Sequence, residues 1–470
     1  MEKLKLKELL GYGIGGFGES MSFALVNTYI MFYSTESLGI SAGFMAAMLF
    51  AARIFDAFND PVMGMIAENT RTKWGKHRPW VLLGALTNAV VLVFTFNPKL
   101  AMAGDPRFYI LLFCVLHDIT YTIIDVPYYA YAASFLDLGE RDKISMMPRI
   151  VGGVGGFMIQ AVGLALVMWI SPGNLGQGFF RLSLIIAGVF VLFAAVAAKT
   201  MKNREIAKQE KKFTLAETFR ALKENDQLVV IITVFVLAQI APTLSNSVAL
   251  YYFKYVWGDP KAYATFMMAA GAAMAISLVA YPFLVKKFSR HKIFTTALLL
   301  SIAGFAAMFV SVTVFQNVNA LLPGVLLALC GFGSIAVLNT VFLVDVVEYG
   351  EWKQGYRSES IAFAMLTFLG KFSGAVSAVI VGAGLQLAGY ISTTEDIMGS
   401  FDEAAAIVSQ PPAVTPVLNV MMFALPPLLV ASALLLYLKK YKLRGTFMEQ
   451  VTEELRAKRE CAQLTINNEQ

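Results

Sequence analysis

The stretch Ala52–Pro61, ARIFDAFNDP, decides the fold. It puts Arg53, Asp56, Asn59 and Asp60 inside a segment that is otherwise apolar from 42 to 67. At the helical turn angle, Arg53, Asp56 and Asp60 fall within about 60° of arc, and Asn59 lies beside them. One polar stripe therefore faces one direction. Each charge at the centre of a membrane helix costs about 2.5–3.5 kcal/mol, so three unpaired charges cost roughly 8–10 kcal/mol. They must be paired, solvated or bound to an ion. One arginine balances one aspartate, and the second aspartate needs another cation. Two carboxylates beside an amide oxygen make a hard-oxygen site suited to Na⁺, Li⁺ or H₃O⁺. The alternative is an Arg–Asp–Asp group that only staples two helices.

The rest of the chain supports a membrane setting. Of 470 residues, 57% are hydrophobic and 15% are charged, against about 25% charged in soluble domains. Three cysteines, Cys114, Cys330 and Cys461, have neither metal spacing nor the pattern of a disulfide framework. Three histidines in all argue against a histidine metal site. The start, MEKLKLKELLGYGIGG, has no cleavable small-residue site and runs straight into a long span, so it reads as the first span, not as a signal peptide. The net charge of +6 sits in particular loops. It reads as topology, and no nucleic-acid partner is expected.

Twelve stretches are long enough to span, at about 20 mostly apolar residues each: 9–34, 42–68, 79–97, 107–135, 145–170, 177–200, 226–256, 262–285, 293–314, 319–345, 360–389 and 412–438. Polar residues interrupt the first, second, fourth and eleventh, which are expected to score poorly on hydropathy. Lysines and arginines crowd the loops after spans two, four, six, eight and ten, which places those loops and both termini in the cytoplasm. The polar segment 201–225 divides the chain into six plus six spans. Each half has a basic loop after its second span, RTKWGKHRP and KKFSRHK. The expected organisation is all-α: a bundle over 1–200, a middle loop over 201–225, a bundle over 226–438 and a cytoplasmic tail over 439–470. Two similar halves are the mark of a transporter with a midplane site. In the tail, TFMEQVTEELRAKRECAQL reads as an amphipathic helix with a solvated or lipid-facing surface.

Span four contains HDITYTIIDVPYY. His117, Asp118, Tyr121, Thr122, Asp125, Tyr128 and Tyr129 share one face of about 140°. Aromatic rings beside a carboxylate grip sugars, with the ring on the C–H face and the carboxylate accepting hydroxyl protons. A structural aspartate within a tyrosine belt is the plainer alternative. Arg149 opens span five ahead of VGGVGG, where Gly152 and Gly156 permit close helix approach. Lys371 lies within span eleven. In span one, Gly13, Gly15, Gly16 and Gly18 precede Glu19 and Ser20, and Glu19 is a further buried-carboxylate candidate.

With YGIGGFG, ARIFDAFNDPVMG, RTKWGKHRPW, YTIIDVPYYA, the pair Glu140 and Arg141, YYFKYVWGD and DVVEYGEW, the sequence resembles the glycoside–pentoside–hexuronide:cation symporters over nearly its whole length. The resemblance implies the major facilitator fold, twelve transmembrane helices in two six-helix bundles, with no enzymatic activity and no cofactor beyond a coupling Na⁺, H⁺ or Li⁺. It carries the family's cation site onto Asp56, Asn59, Asp60 and Thr122. It carries the sugar site onto Ser20, Arg53, Tyr121, Asp125, Tyr129, Arg149, Thr367 and Lys371. The chain departs from the family in its sugar-contacting residues. Ser20 stands for an aspartate, Glu19 for a lysine and Tyr129 for a tryptophan, while His117 and Asp118 replace a tryptophan and a glycine.

The expected protein is a multi-pass monomer of the bacterial cytoplasmic membrane, in contact with lipid. It imports a small glycoside, oligosaccharide or sugar acid such as a glucuronide with a cation. Charge and sidedness suggest a cytoplasmic gate in which Arg141 faces Asp345, Glu348 and Glu351. A non-sugar amphipathic substrate, or a transporter-like sensor, are the alternatives.

Overall fold

The computed structural model describes residues 4–135, 138–202, 225–315, 320–354, 359–392, 410–445 and 447–455. The middle loop, the end of the tail and the side chains of Arg141 and Thr367 lie outside the described residues.

Among the described residues the chain is helical throughout. In order come α1 (Leu6–Ser37), α2 (Ala42–Asn69), α3 (Arg78–Thr95), the short α4 (Pro98–Met102), α5 (Pro106–Ala130), α6 (Leu138–Ile170) and α7 (Leu175–Thr200). Then follow α8 (Asp226–Tyr251), α9 (Ala262–Leu284), α10 (Arg290–Val310), α11 (Leu321–Gln354), α12 (Glu359–Leu387), α13 (Val414–Asn419) and α14 (Leu425–Lys440). The expected all-α organisation is present among the described residues.

Among the described residues, ten helices are long and apolar enough to cross a membrane. The first two are not among them. Glycines and polar side chains dilute α1, and the side chains of 57, 58, 61 and 68 in α2 lie outside the described residues. The fourth and eleventh stretches, expected to fall short in the same way, do qualify, because enough Ile, Leu, Val and Phe surround their polar residues.

Local chemistry sets the boundaries. Gly39, at φ 66°, turns the chain out of α1, and Ile40 N–H donates back to Ser34 O at 3.0 Å. A side chain at that φ would be strained. The Ser41 hydroxyl then caps α2 by accepting from Phe44 N–H. Asp105 caps α5, ahead of Pro106.

The chain divides into two compact units. The first comprises Met1–Glu210, Leu250–Met267 and Ala378–Leu418. Here α1 packs on α6 and α7, α3 on α5 and α7, and α2 on α5. The approach of α1 to α6 depends on glycine. A Cβ on Gly152 would sit 2.5 Å from Ser20 Oγ and 2.8 Å from Gly16 O, and one on Gly155 would sit 2.7 Å from Phe17 O. Gly156, expected to share this role, has room for a Cβ at 3.4 Å.

Polar contacts tie α1 along its length. Glu8 accepts from Tyr131 Oη. Tyr12 Oη donates to Tyr128 O at 2.6 Å, and Tyr128 Oη donates back to Tyr12 O. Tyr29 Oη donates to Gln160 O at 2.8 Å. At its C-terminal end Glu36 is fully buried. It forms an ion pair with Lys254 and accepts from Tyr255 Oη at 2.6 Å and from Tyr390 Oη.

The second unit comprises Lys211–Ala249, Met268–Ser377 and Asn419–Gln470. Here α10 packs on α11 and α14, and a Cβ on Gly304 would collide with the Ala328 backbone. Asp226 binds Lys353 Nζ at 2.7 Å and Tyr349 Oη at 3.0 Å. The tail departs from expectation. Residues 447–455 form a helix whose Val451 and Leu455 are buried. Phe447, one turn earlier on the same face, meets Tyr349 and Trp352, and Trp352 Nε1 donates to Glu454 at 2.7 Å. The apolar residues at four-residue spacing are therefore used against α11, so this face is neither solvated nor lipid-facing.

Candidate functional site

The polar stripe of α2 faces protein. Arg53 Nη1 meets Asp56 Oδ2 at 3.0 Å, one turn along the same helix. Its other nitrogen, Nη2, donates to Asn27 Oδ1 on α1 at 3.0 Å. Asp56 is only 4% exposed. The pairing of one arginine with one aspartate is thus present, and Asn27 is the partner that sequence reasoning missed.

Asp60 lies one turn further on. Thr122 Oγ1 on α5 donates to its Oδ1 at 3.0 Å. This bond brings together two members of the expected cation set from segments 62 residues apart in sequence. Asn59 sits on the same helix, with its Nδ2 buried and without a hydrogen-bond partner. Carboxylate, hydroxyl and amide oxygens are hard ligands of the kind that suit alkali cations.

The α5 face carries the other expected residues. Tyr121 stacks on His117, with ring centroids 5.9 Å apart and planes 14° from parallel, and it also meets Phe23 of α1. His117 is buried. Its Nδ1 lies 3.6 Å from Asp118 Oδ1, and neither ring nitrogen has a hydrogen-bond partner. The backbone of His117 is fixed by Asn88 of α3, which is fully buried. Asn88 Nδ2 donates to His117 O at 3.2 Å and to Thr120 Oγ1 at 3.1 Å, and Asn88 Oδ1 accepts from Ser22 Oγ at 3.0 Å. An amide within the apolar run LLGALTNAVV was the available signal for this residue.

Asp125 and Tyr129 are half-buried, one turn apart. Tyr128, which shared the predicted face, is buried and bonded to Tyr12, so it belongs to the packing of α1 on α5. Glu19 is 1% exposed and faces Asp125 and Tyr121. Ser20 lies against Gly152. Arg149, on α6, is exposed and within electrostatic reach of Tyr12 and Tyr129. The first unit therefore assembles α1, α2, α5 and α6 residues into one polar region.

In the second unit Lys371 is half-buried on α12. Of the expected gate residues, Asp345 is 7% exposed and pairs with Arg290 Nη1 at 3.2 Å, a partner from the KKFSRHK loop that the sequence reading passed over. Glu348 lies within electrostatic reach of Asp345, and Glu351 is half-buried.

The chain belongs to the MFS/sugar transport protein family, whose profile matches residues 11–445. It is 28% identical to the isoprimeverose transporter of Lactiplantibacillus pentosus, over 82% of this chain and 81% of that one. It is 30% identical to the inner membrane symporter YicJ of Escherichia coli K12, over 83% and 84% of the two chains. It is 24% identical to the putative glycoside/cation symporter YagG of the same organism, over 97% and 96%. Among solved structures, a bacterial homologue of the lysosomal transporter Spinster superposes with a TM-score of 0.67 at 15% identity, covering 93% of this chain and 97% of that one. A D-xylose–proton symporter superposes at 0.61 with 13% identity, covering 93% and 97%. These structures share the fold. The protein is a membrane transporter of the major facilitator type and not an enzyme.

Proposed function

We propose that the protein is a cation-coupled symporter that imports a glycoside, oligosaccharide or sugar acid across the bacterial cytoplasmic membrane. Twelve spans in two six-helix halves, 1–200 and 226–438, rock around a midplane site. The linker 201–225, the tail 439–470 and both termini lie inside. Na⁺ is the coupling ion, held by Asp56, Asn59, Asp60 and Thr122, and H⁺ or Li⁺ can replace it.

The observation that carries this reading is the Thr122–Asp60 hydrogen bond beside the Arg53–Asp56 pair. Arg53 compensates Asp56, whereas Thr122 offers Asp60 a neutral hydroxyl. A bound cation held by these oxygens draws α2 and α5 together. Because Arg53 also reaches α1 through Asn27, ion binding reorients the adjacent sugar site, and each ligand favours the other.

The substrate's hydroxyls donate to Asp125, its C–H face stacks on Tyr129, and Ser20, Arg53, Tyr121 and Arg149 complete the first half of the site. Thr367 and Lys371 contribute from the second half. The relatives named as sugar and glycoside carriers support a sugar as cargo. Arg141 with Asp345, Glu348 and Glu351 closes the cytoplasmic side.

The test is uptake into vesicles with and without a Na⁺ gradient, alongside equilibrium binding. Asp60→Cys is expected to lose gradient-driven accumulation and keep measurable substrate binding. Continued accumulation against a gradient by Asp60→Cys refutes the ion site.

A further inference from the structure

The polar contacts of α1 change partner along its length. At Glu8, Tyr12, Ser22 and Tyr29 they go to Tyr131, Tyr128, Asn88 and Gln160, all within residues 1–200. At the C-terminal end they go to 251–255 and 390–392, in the second half of the sequence. Glu36 pairs with Lys254 and accepts from Tyr255 and Tyr390. Thr35 Oγ1 and Tyr251 Oη share a hydrogen bond at 3.0 Å. Just beyond α1, Ile40 O accepts from Ser392 Oγ at 3.0 Å.

The backbone is shaped for this meeting. Adjacent residues Lys254 and Tyr255 both reach Glu36 from a wide π-helical turn, Tyr252–Val256, that follows α8, and such turns are frequent at functional sites. Tyr390 meets the rings of Tyr251 and Tyr255, each at 5.7 Å. The start of α2 approaches the end of α12 with little clearance, since a Cβ on Gly382 would lie 2.5 Å from Ala42 O. All of these residues belong to the first compact unit.

The chemistry is that of a contact that can be undone. Glu36 is fully buried, whereas the Lys254 side chain is 20% exposed, so the cluster lies at an edge that water reaches. Its bonds are an ion pair and hydroxyl contacts, and water satisfies the same groups when they part. An apolar seam would lose the stabilisation of its whole buried area on opening.

We propose that Glu36, Lys254, Tyr255 and Tyr390 form an extracellular latch: closed, it bars entry from outside, and it opens to admit substrate. Its direction rests on the symport reading. Helices α1, α8 and α12 are the first, seventh and eleventh of the twelve spans. Odd-numbered spans all end on the face opposite the cytoplasmic termini, and the latch joins three such ends.

The first test needs no substrate. Ser37, next to Glu36, is 2% exposed. Ser37→Cys is made together with Cys114→Ala, Cys330→Ala and Cys461→Ala, so that it carries the one thiol. It is labelled with a membrane-impermeant maleimide in right-side-out and inside-out vesicles. Glu36→Gln is expected to speed labelling from outside by about tenfold. Unchanged labelling on both faces overturns the latch. Acceleration from inside alone overturns its extracellular placement, and the topology with it.

The second test fixes the latch shut. In the same cysteine-free background, Ile40→Cys/Ser392→Cys leaves the Glu36 cluster intact and is bridged by a bifunctional thiosulfonate that a reductant removes. Uptake of labelled lactose, raffinose and isoprimeverose into vesicles should fall by about tenfold or more on bridging and return on reduction. A bridged protein that transports at the unbridged rate contains a static staple, which overturns the proposal. Thermal unfolding in detergent identifies a pair that fails to fold, and Thr35→Cys/Tyr251→Cys then takes its place. A protein that takes up none of the three sugars before bridging counts against the sugar reading alone, and the labelling result then decides the latch.

Discussion

Replacing Glu36 tests how much one buried carboxylate contributes to the fold. Its side chain is fully buried, while that of its partner Lys254 is 20% exposed. Lys254 also lies over the rings of Tyr255, at 5.1 Å, and Phe32, at 5.7 Å. Removing one member of a buried pair costs about 3–5 kcal/mol, because the other charge is left uncompensated. Water that reaches Lys254 recovers part of this. Glu36→Ala also strands the hydroxyls of Tyr255 and Tyr390, for a total on the order of 4 kcal/mol. Glu36→Gln keeps an acceptor for both phenols at about half the strength, for a total on the order of 2 kcal/mol. In a chain of this size each kcal/mol moves Tm by about 2 °C at most. The expected falls are therefore about 5–8 °C for Ala and about half that for Gln. The assay is thermal unfolding in detergent, with Lys254→Met and the double variant closing the cycle. The double variant should lose less than the sum of the singles, by at least about 1 kcal/mol. Falls below about 1 °C, or strict additivity, refute the reasoning.

Gly152→Ala should destabilise by about 1–3 kcal/mol, because its Cβ meets the Gly16 backbone, whereas Gly153→Ala, whose Cβ meets nothing within 4 Å, should be neutral in the same thermal assay. Buried His77 precedes α3 and lies edge-on to Tyr131; burial, with some help from Lys76, pushes its pKa down to about 4. The unfolded chain takes up this proton near pH 6.5 and the folded one does not until about 4, so stability is full above the upper value and declines as pH falls through this window, by up to about 3 kcal/mol. His77→Asn should flatten that part of the stability–pH curve, and an unchanged slope in the variant would exclude His77 as its source. Asp125→Asn should lose most substrate affinity, while Tyr129→Phe should lose less than Tyr129→Ala in equilibrium binding; equal losses would assign Tyr129 a hydroxyl role in place of stacking.

The helices were legible because hydropathy and basic loops are strong local signals, and α1 and α2 were found despite their polar residues. The pairing of Arg53 with Asp56 was legible from helical spacing, since both lie on one helix. The Thr122–Asp60 bond was not legible from spacing, because it joins two helices; the family resemblance alone pointed to it. Asn27, Asn88 and Arg290 were missed for the same reason, since each acts on a residue of another helix. The face of Tyr128 was misjudged because a helical wheel gives direction and not neighbour, and that direction meets Tyr12. The tail helix was misplaced because an amphipathic pattern shows that an apolar face needs cover without showing what provides it.

Helix α1 is 32 residues long with no internal proline, whereas α5, α6, α8 and α9 each contain one. It behaves as a stiff lever. Glu19 and Glu36 are seventeen residues apart on it, about 25 Å by helical rise. A tilt of about 5° around the Glu19 level therefore carries Glu36 some 2 Å sideways, more than a hydrogen bond tolerates. All of the Glu36 contacts must then break together. The angle that α1 takes beside Asp125 and the integrity of a cluster some 25 Å away are a single mechanical variable.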